Sequence, residues 1–85
     1  MAEKEFTKQD AIKIQNEQIR WYSNLIKDSK KKAEFMKAIR ELKKRNAKAQ
    51  SPYEIPRGVE IEELYYKINL GYSDSQYQAY LSSLD

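Results

Sequence analysis

The chain has 85 residues, with no Cys, no His, and 16 Lys and Arg against 13 Asp and Glu for a net charge of +3. That length allows one small domain, and the missing thiols exclude disulfides, Cys ligands and Cys nucleophiles. The missing imidazole removes the commonest general base and the commonest transition-metal ligand, so the expectation is a non-enzymatic protein with no metal and no cofactor.

Hydrophobic residues make up 40% of the chain and recur at regular spacing, which predicts an ordered helical domain despite 34% charge. The first fifteen residues are charged and carry no apolar run, unlike a signal peptide. No stretch approaches the roughly 18 apolar residues of a membrane span. The expectation is a cytoplasmic protein without membrane contact.

Residues 1–6 read as a flexible lead. Thr7 and Asp10 have capping-box spacing, with Asp standing for the usual Glu or Gln. A first helix is predicted over about Lys8–Lys27. Stepping about 100° per residue puts Ala11, Ile12, Ile14, Ile19, Trp21, Tyr22, Leu25 and Ile26 on one broad half of it. Trp21, at the edge of that half beside Ile14 and Leu25, is expected as a core anchor. A second helix is predicted over about Lys30–Lys48, with the narrower stripe Phe35, Met36, Ile39 and Leu42. Ile12, Ile19, Ile26 and Ala33 are seven apart, which invites one continuous rod. The apolar arcs of the two segments nevertheless differ by more than about 100°, whereas a heptad seam drifts only about 20° per heptad. The run from Lys27 to Lys32 is therefore predicted to hold a bend or a tight connection.

Residues 49–58 form a connector, because Pro52 and Pro56 disfavour helix at themselves and at Ser51 and Ile55. A third helix is predicted from about Val59, with Ile61, Leu64, Tyr65 and Ile68 on one face. Glu60, Glu62 and Glu63 lie in its first turns, where the helix dipole favours acid better than a loop-free acidic cluster favours a metal. Gly71 fits the left-handed position after the last turn, and Ser73 with Gln76 repeats the capping-box spacing. A fourth helix then places Tyr77, Tyr80, Leu81 and Leu84 on one face. The predicted fold is all-α: a single small helical bundle of three to four helices with a helical hairpin at the carboxyl terminus.

Charge divides along the chain. Residues 1–50 hold fourteen cations against seven acids, whereas residues 59–85 hold Lys67 alone against five acids. A basic helical half over residues 7–48 is thus joined to an acidic, Tyr-rich hairpin over residues 59–85. The hairpin has helix-turn-helix-like grammar. Its second helix, however, offers Asp74, Ser75, Gln76, Gln78, Ser82 and Ser83 outward and no cation, unlike a helix that reads DNA.

Two classes of function fit these features. The first is a regulator or adaptor acting by protein–protein binding, with Glu62, Tyr66, Tyr72 and Tyr80 as candidate contacts, since exposed Tyr beside apolar residues is enriched at hot spots. The alternative is DNA or RNA binding through Lys30, Lys37, Arg40, Lys44 and Lys48, which fall within about 80° of one another on the second helix. The same cations also fit a solvated face supported by Glu34 and Glu41 at i,i+3 and i,i+4 spacing. A structural component that self-associates as a homo-oligomer through the first helix is a further possibility.

Overall fold

Each predicted helix start is present, and three of the four are made by a side chain that satisfies otherwise orphaned backbone donors; the third helix starts from Gly58 without one. In the computed structural model, which describes residues 5–84, Thr7 opens α1 (Lys8–Leu25). Its hydroxyl accepts from the Asp10 N–H at 3.2 Å, and the Asp10 carboxylate accepts from the Thr7 N–H at 3.0 Å. Such a cap contributes about 1 kcal/mol. Ile26 leaves the helix with extended backbone. Asp28 then caps α2 (Ser29–Lys43) by accepting from the Lys31 N–H at 2.9 Å. Residues 8–43 are therefore two helices, broken inside the lysine-rich run.

The second helix ends earlier than Lys48. It tightens into a 3₁₀ turn over Lys44–Asn46. The cause lies in the next residues: Ala49 is buried with Ala11 and Ile55, and its carbonyl accepts from Lys8 Nζ at 2.8 Å. A further 3₁₀ turn over Pro52–Glu54 leads to Gly58, whose φ of 65° is the left-handed region that favours glycine. From there α3 runs over Val59–Asn69 and α4 over Asp74–Ser83. Gly71, at φ 72°, makes the turn between them, and Ser73 with Gln76 closes a second capping box.

The described residues are all-α, with no strand. α2 packs chiefly on α3, α1 lies against both, and α4 contacts α3. The main core joins Ile19 and Ile26 to Phe35, Ile39 and Leu42 of α2 and Ile61 of α3. A smaller cluster of Ala11, Ala49 and Ile55 holds the connector against α1. Within the lead expected over residues 1–6, residues 1–4 lie outside the described residues, and Phe6 packs against this smaller cluster.

One fully buried polar side chain ties the connector to the bundle. Gln15 Nε2 donates to the Pro56 carbonyl at 2.8 Å and to Asn46 Oδ1 at 3.1 Å. Gln15 Oε1 accepts from Asn46 Nδ2 at 2.9 Å. Gln15→Leu keeps the volume but strands the Pro56 carbonyl and half of Asn46. Each buried group left unpaired costs about 1–3 kcal/mol. The variant is expected to lose about 2–4 kcal/mol in urea unfolding, while Lys13→Leu on the exposed face stays near wild type.

Trp21 is not a core anchor. It is 64% exposed, with Ile14 at 40% and Leu25 at 42% beside it on the same side of α1. The apolar half of α1 is wider than its neighbours cover. α2 and α3 take Ile19, Tyr22 and Ile26, the connector takes Ala11 and Gln15, and Trp21 falls outside that arc. Leu84, expected on the inward face of α4, is likewise 63% exposed, whereas Tyr77 is fully buried.

Candidate functional site

The acidic hairpin spends its polar groups internally. Tyr77 rises from α4 into the bundle and donates to Glu62 Oε1 at 3.0 Å, with the Val59 carbonyl at 3.3 Å. Tyr22 of α1 donates to Glu62 Oε2 at 3.4 Å, so one half-buried carboxylate receives phenols from two helices. Tyr66 sits at the centre of a ring cluster, its centroid 5.2 Å from Tyr72, 5.8 Å from Tyr77 and 4.9 Å from Tyr80. Its hydroxyl donates to that of Tyr80 at 3.2 Å. The candidate contacts Tyr66, Tyr72 and Tyr80 are thus gathered into one place, half-buried, and face one another. Edge-to-face and tilted pairs of this kind contribute about 0.5–1.5 kcal/mol each beyond area burial.

The remaining described acids of the hairpin are paired. Glu60 accepts from Arg45 Nη2 at 3.1 Å, and Glu63 accepts from Lys67 Nζ at 2.6 Å. Asp74 also meets Lys67. That ammonium holds the Asp74 carboxyl below its usual range, while the same contacts raise Lys67.

The phenols titrate in the opposite sense to Asp74. Burial, followed by the Glu62 carboxylate, raises Tyr77 and Tyr22 above the ordinary value of 10.0. For Tyr66 the bond to Tyr80 is the leading cause, followed by burial. A raised folded-state pKa means that the unfolded chain loses these protons first. Their contribution to stability is complete below pH 10 and falls as the pH rises from there through the folded-state values. Alkaline unfolding is therefore expected to begin near pH 10, seen as helix loss by circular dichroism together with tyrosinate absorbance. Tyr77→Phe should move that onset upward.

α2 presents the opposite picture. Lys30, Lys37, Arg40, Lys44 and Lys48 are all exposed. Lys30, Lys37, Arg40 and the capping Lys44 lie on the side of the helix away from buried Phe35, Ile39 and Leu42. Lys48, expected on the same stripe, follows the 3₁₀ turn that ends the helix and is not part of it. Lys44 pairs with Glu41 at 3.0 Å. The other four make no ion pair with a described residue. From Lys30 to Lys44 the stripe spans about 21 Å at 1.5 Å per residue. The flanking lysines are used structurally: Lys31 Nζ donates to the Asn69 carbonyl at 3.2 Å, and Lys43 Nζ to Asn16 Oδ1 at 2.7 Å. Both bonds fix how α2 lies on its neighbours, and so where the stripe faces.

Among the described residues no group of three or more His, Cys, Asp or Glu could hold a metal ion. No described helix is long and apolar enough to cross a membrane. Comparison with protein-family models, with curated proteins and with solved structures finds no match to this chain.

Proposed function

We propose that this protein binds nucleic acid by laying the outer face of α2 along a phosphate backbone. One observation carries the reading: the α2 cations stand exposed and largely unpaired, whereas the described acids of the carboxyl-terminal half are each engaged, Glu60 by Arg45, Glu63 and Asp74 by Lys67, and Glu62 by two phenols. The field left over is positive and concentrated on one helix. Its contacts are to phosphates, which position a protein without reading sequence. Titration of duplex DNA and RNA by gel mobility across a salt series tests it. Affinity should fall steeply with salt, and absence of a shift at low salt refutes the reading.

A second reading, a regulator or adaptor that docks on protein, is favoured by the exposed Ile14, Trp21 and Leu25 on α1. In that case Trp21→Ala removes binding while the α2 lysines do not matter. A concentration-dependent sedimentation mass would make the protein partner a second copy.

A further inference from the structure

At the end of α2 the exposed cations run into a cleft. It has a volume of about 470 Å³ and lies between the α2 end, the connector and the start of α3. That size falls within the range of small-ligand sites. Buried Ile55 and Pro56 form part of its lining, and three cations stand around it: Arg45, Lys48 and Arg57. Two acids also line it, and both already have partners. Glu60 holds Arg45, and Glu54 Oε2 accepts from the Gln50 N–H at 3.0 Å. Lys48 and Arg57 make no ion pair with a described residue, and three cations against two carboxylates leave the cleft one net positive charge.

The same cleft carries an aromatic ring with its surface open. Tyr53 is 74% exposed, yet its position is supported from one side by Phe6, with centroids 5.5 Å apart. The Arg57 guanidinium lies 5.3 Å from the Phe6 ring centre in turn. The three side chains therefore brace one another, and Phe6 is held by the Ala11, Ala49 and Ile55 cluster. Gln15 fixes the Pro56 carbonyl at the base of the arrangement. A supported, exposed ring beside unpaired cations combines the two elements that bind single-stranded nucleic acid: a stacking platform and a backbone-tracking positive surface. In a duplex both faces of an internal base are already stacked, so only an unpaired nucleotide can use the platform.

We propose that this cleft takes one unpaired nucleotide, its base stacked on Tyr53 and its phosphate held by Lys48, Arg57 and Arg45. The proposal rests on the nucleic-acid reading above and extends it from a backbone track to a site for a strand end or unpaired base. Lys48 lines the cleft four residues beyond Lys44, the last cation of the α2 stripe, so the track leads to the site.

The test is a nitrogen-15 amide titration of the full chain with 5′-phosphorylated DNA and RNA tetranucleotides, and with inorganic phosphate alone. Shifts should concentrate at residues 49–58, with either nucleotide binding at least tenfold tighter than inorganic phosphate. Tyr53→Ala should weaken the nucleotide about tenfold, and Tyr53→Phe should restore it, because stacking on one ring accounts for a change of that order. Tyr53 is exposed, so the wild-type amide pattern elsewhere verifies that the variants fold. A preference for the RNA or the DNA tetranucleotide identifies which strand the site serves. Absence of shifts at residues 49–58, equal affinity for inorganic phosphate, or an unchanged Tyr53→Ala variant overturns the proposal. The two readings fail separately. A duplex mobility shift without cleft perturbation leaves the α2 track standing alone. Tetranucleotide binding in the cleft of a protein that ignores duplex leaves the cleft standing alone.

Discussion

Tyr77→Ala is expected to undock α4 and remove about 3–5 kcal/mol of stability, the range for deleting a buried aromatic side chain. Tyr77 is the one fully buried side chain of α4, and α4 packs on α3. The substitution empties a ring-sized space and removes the pairs with Tyr66 and Tyr80 at 5.8 and 6.1 Å. It also takes one donor from Glu62, which keeps Tyr22. A domain of this length has roughly 4–13 kcal/mol in total, at about 0.05–0.15 kcal/mol per residue. The loss is therefore a large share, equivalent to a fall in Tm of more than about 12 °C. Tyr77→Phe keeps the ring and separates packing from hydrogen bonding; it should cost about 1.5–3 kcal/mol, the range for a bond to a charged group. Urea unfolding followed by circular dichroism measures both variants. Trp21 fluorescence is a poor reporter, because that side chain already faces solvent. A Tyr77→Ala variant within 1 kcal/mol of wild type would show that α4 is docked by something other than this ring.

Lys37→Glu combined with Lys44→Glu is expected to weaken nucleic-acid binding about 100-fold at moderate salt. Both lysines are exposed near the middle and end of the α2 stripe. Each phosphate contact releases close to one counterion, so four contacts predict a slope of about −4 for log affinity against log salt. Removing two of them should bring the slope to about −2, and the new carboxylates repel the backbone in addition. Stability should hardly change, since the one pair lost, Lys44 with Glu41, is an exposed i,i+3 pair worth a few tenths of a kcal/mol. The pairing of lost affinity with an unchanged unfolding midpoint distinguishes an interface from a fold defect. An unaltered salt slope in the double variant would sink the α2 assignment.

Much of the helix layout was legible in the sequence because caps are local. Thr7 with Asp10 and Ser73 with Gln76 act within one turn, and Gly71 needs only its own backbone freedom. The break between α1 and α2 was legible for a related reason: two apolar arcs set at different angles cannot share one straight rod. The exposure of the α2 cations followed from the same periodicity, since they lie opposite Phe35, Ile39 and Leu42.

What periodicity could not supply is the identity of the neighbour covering each angle. Trp21 has the hydropathy and almost the angle of a core residue, but neither α2 nor α3 reaches it. Gln15 reads as a polar interruption of a heptad pattern, yet it is fully buried, because Asn46 and Pro56 arrive from 31 and 41 residues away to satisfy it. The hairpin shows the same division. Its acids and tyrosines suggest a surface when counted along the chain. In the fold Glu62 receives Tyr22 from another helix, and Glu60 receives Arg45. The cleft around Tyr53 is lined from residues 45–60 alone, but its shape depends on Phe6 and Gln15 of the amino-terminal part, which hold Tyr53 and Pro56. The sequence by itself determined where helices start and turn, and which face of α2 carries charge, because those depend on neighbours a few residues apart; the early end of α2 at Lys43 did not follow from it. Only the tertiary structure decided which charges and rings remain free, because their partners are brought together by packing across long separations.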